Sequence, residues 1–144
     1  MDVFKFLLAN EEILAQRLSS TAANYSEWTQ DRVFEETKRV LEGLKANFDK
    51  EKALLNTVHG TAGVESVVAE AEQHRKDMQA DAENLVMLHV DEPGFEQGLE
   101  TLSSKFEKHR EFCEKTLFPK LKELVSEADL NRVSDQLDAV VLDG

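Results

Sequence analysis

The sequence predicts an all-α fold, an up-down-up-down four-helix bundle closed by a short fifth helix. Three observations carry that expectation. Apolar residues recur at steps of three and four along four long stretches, as on the buried face of a helix. The chain's six glycines and two prolines fall mostly at the gaps between those stretches, where helix punctuation belongs. Periodicity never switches to two, so no strand is expected. The gaps are short, and short connections join antiparallel neighbours. With 144 residues the chain is one domain, 1–144, of a size that buries about 70% of its unfolded surface.

The first helix runs from about Val3 to Ala23, with Val3, Leu7, Asn10, Leu14 and Leu18 on one face, and Asn24-Tyr25-Ser26 breaks it. The second begins near Thr29 to Asp31 and continues to about Val58; its stripe is Val33, Val40, Leu44, Asn47, Glu51, Leu55 and Val58, with Gly43 as a tolerated interior glycine. Tyr25 and Trp28 are expected to staple its first turn. His59 to Gly63 forms the next turn, and the third helix spans roughly Val64 to His89, presenting Val67, Ala71, His74, Met78, Leu85 and Leu88. After the turn from Val90 to Gly94, the fourth helix covers about Phe95 to Val125, with Phe95, Leu99, Leu102, Phe106, His109, Cys113, Leu117 and Leu124 in its stripe. Pro119 marks a kink or break in it. A fifth helix, Ser126 to Val141, carries Leu130, Val133, Leu137 and Val140 and is expected to pack across an end or flank.

Composition narrows the partners. Net charge is −12, from 29 acidic and 17 basic residues, and the basic residues are interspersed among acidic ones rather than gathered into a stripe. Nucleic acid and anionic lipid are therefore excluded as partners. No apolar run approaches the ~18 residues of a spanning helix, so no membrane segment is expected. The first residues lack a basic leader region and place Glu11 and Glu12 where a signal peptide would be apolar. Cys113 is the single cysteine, which rules out an intrachain disulfide. Together these point to the cytoplasm.

The chemistry lies on the apolar seam itself. Glu51, His74 and His109 occupy positions that should be apolar, and Asn10, Asn47 and Met78 hold equivalent positions on the same helices. An unpaired carboxylate costs several kcal/mol to desolvate, so these groups need compensating partners. Asn47 and Glu51 are one turn apart, as are His74 and Met78, and bundle cores bind metals through such pairs on facing helices. No glycine-rich phosphate loop, serine nucleophile with a histidine partner or Cys-x-x-Cys pair is present, so no enzymatic activity is expected.

Four segments and the tail make the sequence similar to the hemerythrin-like, or HHE cation-binding, family. FLLANEEI resembles the family's first-helix segment, ANFDKEKALL its His-Phe-x-x-Glu segment, EQHRKDM its third-helix segment, and KHREFCEKTLFPKL its fourth, ending in Leu-Phe-Pro. The tail SEADLNRVSDQLDAV is similar to the closing short helix. The resemblance implies a diiron centre of five histidines and two bridging carboxylates, with a vacant position for dioxygen or another small ligand. Asn10, Asn47 and Met78 stand where the family has histidines. One iron site thus loses both terminal histidines, and the other keeps two of three.

What remains is a possible centre for one cation, iron in the first place or else zinc or manganese, held by His74, His109, Glu51 and Glu114; a small diatomic ligand is its expected partner. Such a site implies sensing or storage, not oxygen transport, which needs two irons. Amides of Asn10 or Asn47 either add a weak ligand or hydrogen-bond each other or Glu51. In a regular helix Glu114 lies about 140° around from His109 and Cys113 only about 40°; a π-bulge would bring Glu114 inward, and without one Cys113 is the inward group, a soft ligand or simply core. The alternative function is a metal-free bundle whose polar seam is a hydrogen-bonded network and whose acidic surface serves a partner protein.

Overall fold

The computed structural model describes residues 2–143, with side chains described as far as Leu137. Among the described residues all regular structure is helical. Helix α1, Val3–Ala23, starts where the Asp2 carboxylate accepts from the backbone N–H groups of Phe4 (3.1 Å) and Lys5 (3.2 Å), a cap worth about 1 kcal/mol. Helix α2, Gln30–Val58, is capped by Thr29, whose hydroxyl accepts from the Arg32 N–H at 3.2 Å. Helix α3 covers Glu65–Val86. It stops short of the predicted His89 because the Met87 and Leu88 amides turn back to the Asn84 and Leu85 carbonyls. Helix α4, Phe95–Phe112, follows Gly94, whose φ of +97° is open to glycine and strained for other residues.

The predicted long fourth helix continues, but not regularly. A π-helical turn, Cys113–Leu117, interrupts it, and the Phe118 N–H bonds to the Cys113 carbonyl five residues back. Helix α5, Phe118–Leu124, carries Pro119 in its first turn, where the missing N–H is harmless. Helix α6, Glu127–Asp143, is the expected closing helix. Val140, the last apolar position expected on it, lies beyond the described side chains.

α1 packs on α2 and α4, α3 packs on α4 and more lightly on α2, and α6 lies against α2 and α1. Gly43 is more than tolerated: a Cβ there would lie 2.5 Å from Leu14 Cδ2, so α1 fills the space that a side chain would take. Of the two aromatics expected to staple the first turn of α2, Trp28 packs on that turn at Arg32 and Tyr25 reaches elsewhere. The Tyr25 hydroxyl donates to the Val90 carbonyl and its ring stacks on Phe95 at 6.1 Å, while Trp28 packs under the Arg32 guanidinium at 3.9 Å. Tyr25 thus ties the α1–α2 corner to the α3–α4 turn. No helix among the described residues is long and apolar enough to cross a membrane.

The core is divided in two. One apolar cluster gathers Val3, Leu7, Leu54, Val58, Ala71, Leu117, Leu121, Val133 and Leu137; the other gathers Leu14, Leu18, Val40, Leu44, Phe48, Met78, Leu85, Leu99 and Phe106. On each long helix the gap between clusters falls at one level, near residues 8–13, 49–53, 72–77 and 107–112. Every ionisable seam residue expected from the sequence except Glu114 lies in that gap.

Candidate metal centre

Each helix delivers its polar group because a one-turn step from a buried apolar residue leads to it. On α1, Leu7 and Leu14 bracket Glu11; on α2, Phe48 and Leu55 bracket Glu51; on α4, Phe106 precedes His109 by three residues and Cys113 follows by four. All four of Glu11, Glu51, His109 and Cys113 are at most 1% exposed. One ligand-type atom from each lies within 4.8 Å of every other. His109 Nε2 donates to Glu51 Oε2 at 2.9 Å, and Cys113 Sγ sits 3.5 Å from the same nitrogen. Glu51 Oε1 and both oxygens of Glu11 are buried with no hydrogen-bond partner among the described residues.

The electrostatics of this group follow from burial and proximity. Burial first, and then the charge of Glu51, push the Glu11 carboxyl up to about 8. The charge of His109, and after it Cys113 and Asn47, act to lower it without undoing that rise. Burial also opposes the charged form of His109, but the hydrogen bond and charge of Glu51 outweigh it and hold the imidazole above its usual range. Cys113 is driven far up by burial and by both carboxylates, so without a metal it is a thiol. Arg75, buried on α3 with Nη1 unpartnered, is close enough to His109 to oppose its protonation.

The expected ligands divide. Glu51 and His109 are in the group, and His74 and Glu114 are not. His74 is partly exposed and presents its Nδ1 to His109 Nδ1 at 3.0 Å, with its ring edge-on to Phe112 at 4.8 Å. It touches a candidate ligand and not the ligand atoms' common space. Glu114 points outward, half-exposed, 3.6 Å from Arg110 Nη1. A π-turn is present as the sequence allowed, but it starts at Cys113 and re-aims the residues after it, leaving Cys113 inward and Glu114 out. The amides pair with each other: Asn10 Nδ2 donates to Asn47 Oδ1 at 2.9 Å. Met78 is core, bordering a cavity of about 160 Å³ lined also by His74, Asp77, Lys105, Lys108 and His109.

Glu11 is the site residue that sequence reasoning passed over. Its signal was present in the spacing Leu7, Glu11, Leu14, Leu18, which fits the buried stripe at least as well as Asn10 does. Choosing Asn10 for the seam treated Glu11 as surface, whereas Asn10 is the partly exposed neighbour. Arg75 carried no such signal, since it follows His74 directly and a long cation reads as solvated.

No family model matches the chain, and no curated protein or solved structure shows significant similarity to it. The likeness to hemerythrin-like proteins therefore rests on the motifs quoted above, and the chemistry rests on the geometry of the site.

Proposed function

We propose that this chain binds one divalent transition-metal ion, zinc or iron(II), through Glu11, Glu51, His109 and Cys113. The observation that carries the reading is the convergence of four buried donors from three helices and a π-turn, with three carboxylate oxygens lacking a hydrogen-bond partner among the described residues. Two carboxylates offset a divalent charge and a neutral imidazole completes three strong ligands, which relieves the desolvation that metal-free Glu11 and Glu51 suffer. A thiol among oxygen and nitrogen donors moves preference away from manganese and towards zinc or iron(II). Four protein donors also fill a tetrahedral set, the arrangement of a site that holds an ion and offers no open position for a substrate.

The same reading makes the fold an up-down-up-down bundle related to hemerythrin-like proteins, with a single remodelled centre in place of two irons. Its role is to store or sense the metal, and neither dioxygen carriage nor catalysis is part of it. The specific departure from the sequence expectation is the ligand set, in which Glu11 and Cys113 replace His74 and Glu114.

Elemental analysis of protein purified from zinc- and iron-supplemented medium tests this. Wild type is expected to carry close to one equivalent of metal, and Glu11→Gln and His109→Ala to carry almost none. Cobalt(II) loaded into wild type should show a thiolate charge-transfer band that Cys113→Ser lacks. Wild type that stays metal-free in excess zinc(II) and iron(II) overturns the proposal in favour of a metal-free bundle in which Glu11 keeps a proton and the Asn10–Asn47 and His109–Glu51 pairs are purely structural.

A further inference from the structure

We infer that His74 is the positioning residue of the centre: it accepts the Nδ1–H of His109 and so fixes which imidazole nitrogen faces the metal. This rests on the metal reading above. Nδ1 of His74 and Nδ1 of His109 face each other at 3.0 Å, a distance that requires one proton between them. The Nε2 atom of His109 points the other way, 2.9 Å from Glu51 and 3.5 Å from Cys113. A metal ion among these donors takes the Nε2 lone pair, which leaves the neutral ring's one N–H at Nδ1. Among the described residues His74 is the only hydrogen-bond partner of that nitrogen.

The donation therefore runs from His109 Nδ1–H to His74 Nδ1, and His74 carries its own proton on Nε2. Ligating histidines depend on such an acceptor for tautomer, ring orientation and basicity. The position of His74 suits it to this part. It is the only residue of α3 in hydrogen-bonding contact with His109. Its ring is held by Phe112, and it borders the small cavity that reaches His109 from the surface.

Two variants separate acceptance from packing. His74→Phe keeps the contact with Phe112 and removes the acceptor; His74→Asn places Oδ1 where Nδ1 stood. Zinc affinity, measured by competition with a chromophoric chelator, should fall about 10–100-fold in His74→Phe and stay close to wild type in His74→Asn. Metal-stripped melting temperatures of the two variants should match. The cobalt(II) spectrum of His74→Phe at saturation should keep the band positions of wild type, because the four ligands are unchanged. Equal weakening in both variants, or none in either, overturns the inference, and so does a changed cobalt spectrum in His74→Phe, which would make His74 a ligand. Wild type that binds no zinc removes the site itself, an outcome seen before any variant is made.

Discussion

Glu11 sets the stability of the metal-free protein against pH. Its carboxyl lies at about 8, raised from 4.5 chiefly by burial, so between those values the folded state holds a proton that the unfolded chain has released. Stability falls as pH rises wherever the folded state binds more protons. The contribution is therefore fully present below about 4.5 and lost by the time pH passes about 8. His109, also raised, acts in the same sense above its ordinary 6.5; His74, lowered by burial and by His109, acts in the opposite sense, weakly because it is partly exposed. Chelator-treated protein should thus show a lower urea midpoint at about pH 8 than at about pH 5. Glu11→Gln should flatten the profile, since an amide has no proton to release. Parallel profiles for wild type and Glu11→Gln would show that Glu11 is already solvated or paired. Metal affinity should move the other way and strengthen as pH rises, because the ion displaces protons from Glu11, His109 and Cys113.

At the scale of elements, the π-turn decides which residues reach the core. His109, Cys113, Leu117 and Leu121 are all buried at successive steps of four. In a regular helix each such step drifts by about 40°, so Leu121 would end about 120° from His109. One extra residue in the π-turn takes back about 100° and returns Leu117 and Leu121 to the face that bears the site. Inserting one alanine after Lys115, an exposed residue whose pair with Glu111 is a surface one, should rotate Leu117, Phe118 and Leu121 by about 100° and swing them out of the core, whereas deleting Lys115 should leave a regular helix that still faces them inward. Each of those side chains contributes ~1.5–3 kcal/mol when buried, so the insertion should cost several kcal/mol, while Lys115→Ala should stay within about 0.5 kcal/mol. Urea unfolding of the insertion and the alanine variant measures this, and an insertion no worse than the alanine would show that the turn does not set which residues face the core.

These particulars also show what the sequence could disclose. The helices were legible because apolar spacing and turn residues are local; Thr29 and Gly94 mark starts that the structure keeps. Glu51 and His109 were legible as polar breaks in otherwise apolar stripes. The outward turn of Glu114 was not, because where a π-turn begins depends on how Leu117 and Leu121 meet the other helices. Nor was Glu11, since two acids in a row on an amphipathic helix do not reveal which one faces in.

For the whole molecule, the polar belt is a weakness when empty and a clasp when filled. It separates the two apolar clusters at one level of the bundle and leaves Glu11 and part of Glu51 unpartnered there. Its four donors come from α1, α2 and the continuous stretch of α4 and the π-turn, three segments far apart in the chain, so an ion bound to all four joins segments that separate on unfolding. Binding to the folded state alone stabilises it by about 2.7 kcal/mol when free metal is at 100 times Kd. A chain near 150 residues gains roughly 2–4 °C per kcal/mol, so zinc at that level should raise the melting temperature by roughly 5–10 °C. Glu11→Gln and His109→Ala should show no comparable rise at the same zinc concentration, and chelator should return wild type to its metal-free value. Helix α3 holds none of the four donors and is hydrogen-bonded to the centre through His74, so its amides should gain less protection from hydrogen exchange on zinc binding than those flanking Glu11, Glu51 and His109. Uniform protection across all helices would instead mean that the ion acts only through global stability, with the bundle opening as one unit.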